Sequence, residues 1–415
     1  MVIKPMIRSS ICLNAHPLGC AKEVENQIAY VTEKNAVRGR HVGGPVSGGS
    51  HGVGSPRPLS AVLVLGCSTG YGLASRITST FGYGAVTVGV SFEKEGTETK
   101  GGTPGWYNNL AFDRASKKAG VPSITINGDA FSDPVRQEVI AAAKKLGITF
   151  DQVIYSLASP VRTDPETGVQ YRSVLKPIGK PYSGLTVDPV TGVISETSAE
   201  PATEDEAAQT VKVMGGEDWQ RWIEQLHAAN VLSPGCTTLA YSYIGPALSH
   251  AIYRDGTIGG AKKHLEATAL SLNAFLDKSV GGSAYVSVNK GLVTRSSAVI
   301  PIIPLYLAVL FSVMKEKGTH EGCIEQIERL YAERLLTGSS VPVDQAHLIR
   351  IDDWEMDSDV QQEIDNRLAR LTSDNIRDLA DLDGYRHDFL AASGFDIDGI
   401  DYDADIARLN TIGDN

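Results

Sequence analysis

The run AVLVL (61–65) constrains the fold most, because five apolar residues follow one another without alternation and lead directly into GCSTGYG and the helix-like LASRITSTF. A strand with one wet face alternates, whereas one apolar throughout is covered on both sides. Similar runs recur at AVTVGVS (85–91), SITIN (123–127), FDQVIYS (150–156), CTTLAYS (236–242) and AYVSVN (284–289), with helical patterns such as DPVRQEVIAAAKKLG (133–147) and GGAKKHLEATALSLNAFL (259–276) among them. This alternation predicts an α/β fold with a Rossmann-type, doubly wound parallel sheet in one large domain spanning 1–415. Three stretches break the rhythm. Residues 38–58 are rich in Gly, Ser and Pro and read as a flexible loop; 160–205 read as an ordered insertion; 315–415, charged and helical, read as a C-terminal cap.

Composition narrows the function. A formal charge of −11 and a sequence pI near 5.4 discourage binding to nucleic acid or an anionic membrane surface. Five cysteines without a CxxC point to reduced thiols, and the N-terminus lacks a secretory h-region, so a cytoplasmic protein is expected. Cys12, His16 and Cys20 fall at four-residue steps, but Pro17 and Gly19 are expected to break their helix, and no metal site is expected. The uncharged segment 296–314 is long enough to mimic a membrane span, yet Pro301 and Pro304 interrupt it. It reads as a strand end and a buried helix that could line an acyl channel, and no transmembrane segment is expected. The acidic stretch 396–405 resembles a calcium loop only superficially, since Ile406 stands where glycine is required.

Two groups of residues carry chemistry. Gly66, Cys67, Ser68, Thr69, Gly70, Tyr71 and Gly72 form a GxxxGxG between strand and helix, where backbone N–H groups can approach a pyrophosphate at the positive end of the helix. After the second strand, Glu93 is placed to accept hydrogen bonds from a ribose and repel a 2′-phosphate, favouring NADH over NADPH. Asp129 and Ala130 follow the third strand, near an adenine. Leu157 and Ala158 follow the fourth, under a nicotinamide ribose. The second group begins with Tyr243 after CTTLAYS and continues in IYRDGTIGGAKKH, where Tyr253 and Lys262 stand nine positions apart. On an unbroken helix they would face opposite ways, about 180° apart at 3.6 residues per turn. Asp255, Gly256, Gly259 and Gly260 argue for a turn instead, with Thr257 as N-cap and Lys262 in the first turn of the next helix. A nearby ammonium would make the phenol a better acid. A Tyr-x3-Lys also occurs at Tyr30 and Lys34, but it precedes the glycine loop.

The glycine loop, FEKE, GTPGWYNN, NGDAF, VIYSLASPVRTDP, VKVMGGEDW, AYSYIGP, IYRDGTIGGAK and KGLVTRSSAVIPIIPLY together closely resemble the NADH-dependent trans-2-enoyl-CoA and enoyl-acyl-carrier-protein reductases of the FabV/TER type, over nearly the whole chain. Tyr253 and Lys262 match that family's Tyr-x8-Lys pair. The resemblance implies reduction of the trans-2 double bond of an enoyl-CoA or enoyl-acyl-carrier-protein by NADH in fatty acid synthesis. It also implies Tyr253 as proton donor, Tyr243 against the thioester and Lys262 on the cofactor ribose. Further NAD contacts are implied at Gly66 to Tyr71, Phe92, Glu93, Asp129, Ala130, Leu157, Ala158, Leu292, Val293 and Thr294. A monomer is the expectation and a dimer the alternative. Segment 38–58 is longer than the family pattern. Two other classes remain open: a ketone or alcohol dehydrogenase, which would prefer Tyr-x3-Lys, and an NADH-sensing protein, which would not need two tyrosines and a lysine at one pocket.

Overall fold

In the computed structural model the described residues are 1–8, 11–38, 59–188, 191–294, 297, 300 and 302–412, and the segment expected as a loop at 38–58 lies outside them beyond Arg38. Their centre is one parallel sheet of seven strands. These are β1 (Ala61–Leu65), β2 (Val86–Ser91), β3 (Ser123–Asn127), β4 (Phe150–Tyr155), β5 (Leu232–Ser242), β6 (Ser283–Val288) and β7 (Leu348–Arg350). Spatially they run β7-β6-β5-β4-β1-β2-β3, so the order reverses between β1 and β4. The expected doubly wound class is therefore correct, and β1 is buried at every position, as its unbroken apolar run requires.

The larger helices are α1 (Pro17–Val37), α2 (Gly70–Ile77), α3 (Pro104–Ala119), α4 (Asp133–Leu146), α5 (Glu204–Met214), α6 (Glu217–Ala228), α7 (Thr257–Val280), α8 (Ile303–Glu316), α9 (Cys323–Leu330), α10 (Ser358–Leu368) and α11 (Leu382–Ala391). One core packs α4, α6 and α7 on the sheet; another packs α1, α2, α3 and α9. A third core surrounds α8, which buries eleven of its fourteen residues against α10, α11, Val187 and Tyr253. The segment from 161 to 199 contains two antiparallel hairpins, Val161–Thr163 with Gln170–Arg172 and Tyr182–Val187 with Ile194–Ala199.

Several local expectations need correction. Pro17 does not break a helix but begins α1, because a first-turn proline lacks only an N–H that would go unpaired there; His16 Nδ1 accepts from Gly19 N at 3.1 Å as its cap. β5 begins at Leu232, four residues before the expected start, because an irregularity absorbs Pro234 and Gly235. The described residues between 297 and 302 are turn and bend, with no strand end before α8. No described helix is long and apolar enough to cross a membrane. β7, three residues long, was not expected.

A buried ion pair holds the turn that follows β3. Arg136 on α4 and Asp218 on α6 are both buried and hydrogen-bonded to each other. Arg136 also donates to the Phe131 carbonyl at 2.9 Å, while Trp222 Nε1 donates to the Ala130 carbonyl at 3.0 Å. Burial raises Asp218 to about 6, against the opposing pull of Arg136. Asp218→Asn removes the buried counter-charge of Arg136 and leaves it only the part-exposed Asp133, 2.9 Å away, which should cost about 3 kcal/mol of unfolding free energy in urea titrations. A loss below about 1 kcal/mol would show that this pair is not what holds the turn.

Candidate active site

Every strand of the sheet carries a candidate site residue just past its carboxyl end. Gly66 follows β1, Phe92 and Glu93 follow β2, Asp129 and Ala130 follow β3, and Leu157 and Ala158 follow β4. Tyr243 follows β5, Leu292, Val293 and Thr294 follow β6, and Glu355 lies five residues past β7. In an open α/β sheet this edge, at the point where strand order reverses, is where ligands bind.

The glycine loop is shaped by backbone contact. Gly66 has φ +86°, and a Cβ there would lie 2.1 Å from the Ser156 carbonyl oxygen, so only glycine lets β1 turn beneath the end of β4. Thr69 is the N-cap of α2 but makes no side-chain cap, leaving the first-turn N–H groups to the open edge. Cys67 and Ser68 are buried under the loop, and Ser68 Oγ donates to Glu93 Oε1 at 2.6 Å. The Glu93 backbone exchanges two hydrogen bonds with the Asn127 amide, 2.8 and 2.9 Å long. Beside it Phe92 is 80% exposed, an apolar ring at a site rim that an adenine could cover. Asp129 Oδ1 accepts from Phe131 N at 2.9 Å, and Ala130 is buried. Leu157 is half-buried and Ala158 exposed. Across the opening, Gly70 faces the Thr294 methyl, and Tyr71 Oη donates to the Lys290 carbonyl at 2.7 Å. The loops after β1 and β6 thus form the two walls of one opening.

Tyr253, Tyr243, Tyr71, Leu292 and Val293 share one apolar cluster. Tyr243 and Tyr253 meet edge to face with ring centroids 5.4 Å apart. A turn over residues 251–256 separates Tyr253 from α7, as the nine-residue spacing needed, but of the four residues expected to make it only Asp255 and Gly256 lie in it; Gly259 and Gly260 are helical and Lys262 lies in the second turn of α7. Thr257 is not the N-cap. It is the first helical residue, with its hydroxyl donating to the Val174 carbonyl and its N–H to the Lys176 carbonyl, so the insertion rather than a cap fixes the helix start. The Tyr30 and Lys34 pair lies on α1, with the ammonium 5.3 Å over the ring.

The electrostatics also differ from expectation. Burial pushes the Tyr253 phenol up to about 12, with no charge countering it, so Lys262 does not make it a stronger acid. Lys262 is itself lowered to about 8 by burial and donates to the Tyr241 carbonyl at 3.0 Å. Among the described residues two of its three donor positions have no partner. The hydroxyl of Tyr253 makes no hydrogen bond to any described residue, whereas Tyr243 Oη donates to Glu355 Oε1 at 3.0 Å. Glu355 escaped the sequence reading, as did the buried Lys290, whose ammonium rests 4.7 Å over Phe311 and is lowered to about 8 by burial. Glu355 lies in none of the recognised motifs, and Lys290, though it opens KGLVTRSSAVIPIIPLY, has no expected role there. Only the fold carries the segment after β7 under the tyrosines.

Comparison with known proteins places the chain among enoyl reductases. Residues 100–336 match the trans-2-enoyl-CoA reductase catalytic region, 2–98 the NAD(P)H binding domain of trans-2-enoyl-CoA reductase, and 343–406 the enoyl reductase FAD binding domain. The chain is 60% identical to trans-2-enoyl-CoA reductase [NADH] of Treponema denticola over 413 residues, covering 99% of this chain and all of that one. It is 53% identical to an enoyl-[acyl-carrier-protein] reductase [NADH] of Cytophaga hutchinsonii over 412 residues, 99% of each. The crystal structure of the Treponema denticola enzyme in complex with NAD superposes over the full length of both chains with a TM-score of 0.93. That of a Clostridium acetobutulicum trans-2-enoyl-CoA reductase in complex with NADH, 41% identical, gives 0.89 over 98% of each.

The residues present fit a dinucleotide: an uncapped helix start behind a glycine loop, an exposed aromatic ring and a carboxylate at the ribose end. They do not fit a flavin in 343–406. There the loop after β7 reads Asp352, Asp353, Trp354, Glu355, with no glycine to bring backbone N–H groups up to a pyrophosphate, and the carboxylates of Asp352 and Asp353 already occupy Arg350, Arg329 and Arg334. For the dinucleotide, Glu93→Ala should narrow the preference for NADH over NADPH at least fivefold, read as the ratio of their Kd values by fluorescence titration. An unchanged ratio would remove Glu93 from the ribose.

Proposed function

The chain belongs to the trans-2-enoyl-CoA reductase family, and from that premise we propose that Tyr253 is the proton donor in reducing the double bond of a trans-2-enoyl thioester, with Tyr243 beside the same thioester. The enzyme is an NADH-dependent oxidoreductase acting on a CH–CH bond. NADH, when bound, supplies a hydride to the β carbon. The electron pair of the double bond then moves toward the thioester carbonyl, and negative charge gathers on its oxygen. What supports the reading of Tyr253 is one observation: a phenol hydroxyl in the tyrosine cluster that no described residue engages, packed edge to face with Tyr243 beside Leu292 and Val293.

A hydrogen-bond donor aimed at the developing oxyanion in a site of low dielectric is the largest electrostatic contribution such a site can make. The raised pKa of Tyr253 does not oppose this role. It keeps the phenol protonated at every physiological pH, and an enolate carbon is far more basic than a phenolate, so proton transfer runs downhill. Lys262, with donors to spare, holds the ribose hydroxyls of the cofactor, while Gly66 to Tyr71 receive the pyrophosphate. Phe92, Glu93, Asp129 and Ala130 take the adenosine. Leu157, Ala158, Leu292, Val293 and Thr294 take the nicotinamide side. The apolar face of α8 forms the wall along the acyl chain.

Tyr253→Phe should lower kcat with crotonyl-CoA at least tenfold while NADH affinity stays near normal. A kcat within a factor of two of the parent would reject the donor role. The second expectation concerns pH. Lys262 carries its charge below about 8 and loses it above, so the Kd for NADH should be flat up to about pH 8 and weaken beyond it. Lys262→Met should bind NADH weakly at all pH values with no break, and a break that persists in this variant would assign the titration to another group.

A further inference from the structure

We propose that Glu355 is a positioning residue for the reduction, holding the Tyr243 phenol, and through it Tyr253, against the loop that follows β6. Its side chain is fully buried. Oε1 accepts from Tyr243 Oη at 3.0 Å and from Tyr306 Oη at 2.7 Å, and Oε2 accepts from Gly291 N at 2.6 Å. Those three donors come from the end of β5, from α8 and from the start of the 291–294 segment, so one carboxylate joins three walls of the site. Gln361 on α10 secures the residue from behind, donating from Nε2 to the Glu355 carbonyl at 2.7 Å and to Tyr306 Oη at 3.2 Å.

The chemistry selects a carboxylate here. Burial raises the Glu355 carboxyl, while the Gly291 N–H, Lys290 and the Tyr306 hydroxyl favour its charged form. In that form it offers acceptors only, as the three donors around it require, whereas an amide of the same shape must turn an NH2 group toward one of them. With its oxygen on the tyrosines, the amide of a Glu355→Gln variant would meet the Gly291 N–H with another N–H; with its oxygen on Gly291, it would reverse both phenol protons. Tyr243 also has little freedom of its own, because a Cβ on Gly291 would lie 3.0 Å from its hydroxyl oxygen. Since the Tyr243 hydroxyl donates its hydrogen bond to Glu355, Tyr243 offers the site its ring rather than a free hydroxyl donor. It then works by aligning the Tyr253 ring, 5.4 Å away.

This inference rests on Tyr243 lying beside the thioester, and the test separates the two. Glu355→Gln, Tyr243→Phe and the double variant are compared with the parent for kcat and KM with crotonyl-CoA, with thermal melting and NADH Kd as checks on the fold and cofactor site. Glu355→Gln should lower kcat about tenfold with NADH Kd within twofold. In the Tyr243→Phe background the same change should cost less than threefold, because Glu355 acts through that hydroxyl. Losses that multiply in full, or a Glu355→Gln enzyme with parental kcat, would overturn the positioning role alone. A Tyr243→Phe enzyme as fast as the parent would overturn the placing of Tyr243 and this inference with it. Should Glu355→Gln fail to fold, Tyr306→Phe removes one hydrogen bond from the same oxygen. Its expected kcat loss of about threefold must likewise vanish in the Tyr243→Phe background, and a loss that persists there overturns the proposal.

Discussion

The contact on which the site depends is between two stretches of backbone. Gly66 passes beneath the Ser156 carbonyl where a side chain has no room, and its N–H reaches across to the Val90 carbonyl at 2.9 Å. This ties the ends of β1, β2 and β4 into one corner at the reversal of strand order. The corner sets where α2 begins. Tyr71 in its first turn carries the constraint across the opening by holding the Lys290 carbonyl at 2.7 Å. The peptide that follows, at Gly291, is gripped by Glu355. A displacement of the glycine loop would therefore move both walls of the opening together, not the phosphate cradle alone.

Burial sets the protonation chemistry on the other side of the opening. Tyr253 at about 12 and Lys262 at about 8 are shifted in opposite directions by the same cause, since desolvation disfavours the phenolate and the ammonium alike. A neutral phenol in a dry site is a stronger stabiliser of new negative charge than the same phenol in water, because solvent no longer screens its dipole. No hydrogen bond joins the two among the described residues. Lys262 rests on the Tyr241 carbonyl, one strand position from the Ser242 end of β5, while Tyr253 hangs from the turn before α7. Their nine-residue spacing reflects two separate supports.

The legible part of this protein is the part built from continuous local signals. AVLVL and SITIN became strands with their expected ends: the first is an unbroken apolar run in the middle of the sheet, the second a short β-branched run on its edge, and a glycine follows each. Tyr253 and Lys262 stand out because Asp255 and Gly256 mark a turn between them, although Gly259 and Gly260, which suggested a longer one, are helical. What stays hidden depends on contacts distant in sequence. β7 has only three residues, too few to show a period, and exists as a strand because β6 offers it a parallel edge. Glu355 looks like any acidic residue in DDWEMD until the fold buries it against Tyr243, 112 positions earlier. Thr257 defeats the capping rule for the same reason: its hydroxyl has a distant partner, the Val174 carbonyl, that outcompetes the local cap.

The site also shows why this chain cannot be read as a cofactor module joined to a catalytic one. Residues up to 98 hold only β1 and β2 of the sheet, and a parallel pair of strands with both faces apolar has no stability of its own. The Ser156 carbonyl that dictates Gly66 lies beyond that boundary, as do Asp129 and Lys262. The far end is equally committed, because Glu355 and Gln361, from the segment past residue 343, hold groups from β5, α8 and the loop after β6. Dinucleotide cradle, tyrosine pair and cap are three regions of one sheet edge, and each takes its geometry from residues that the other two supply.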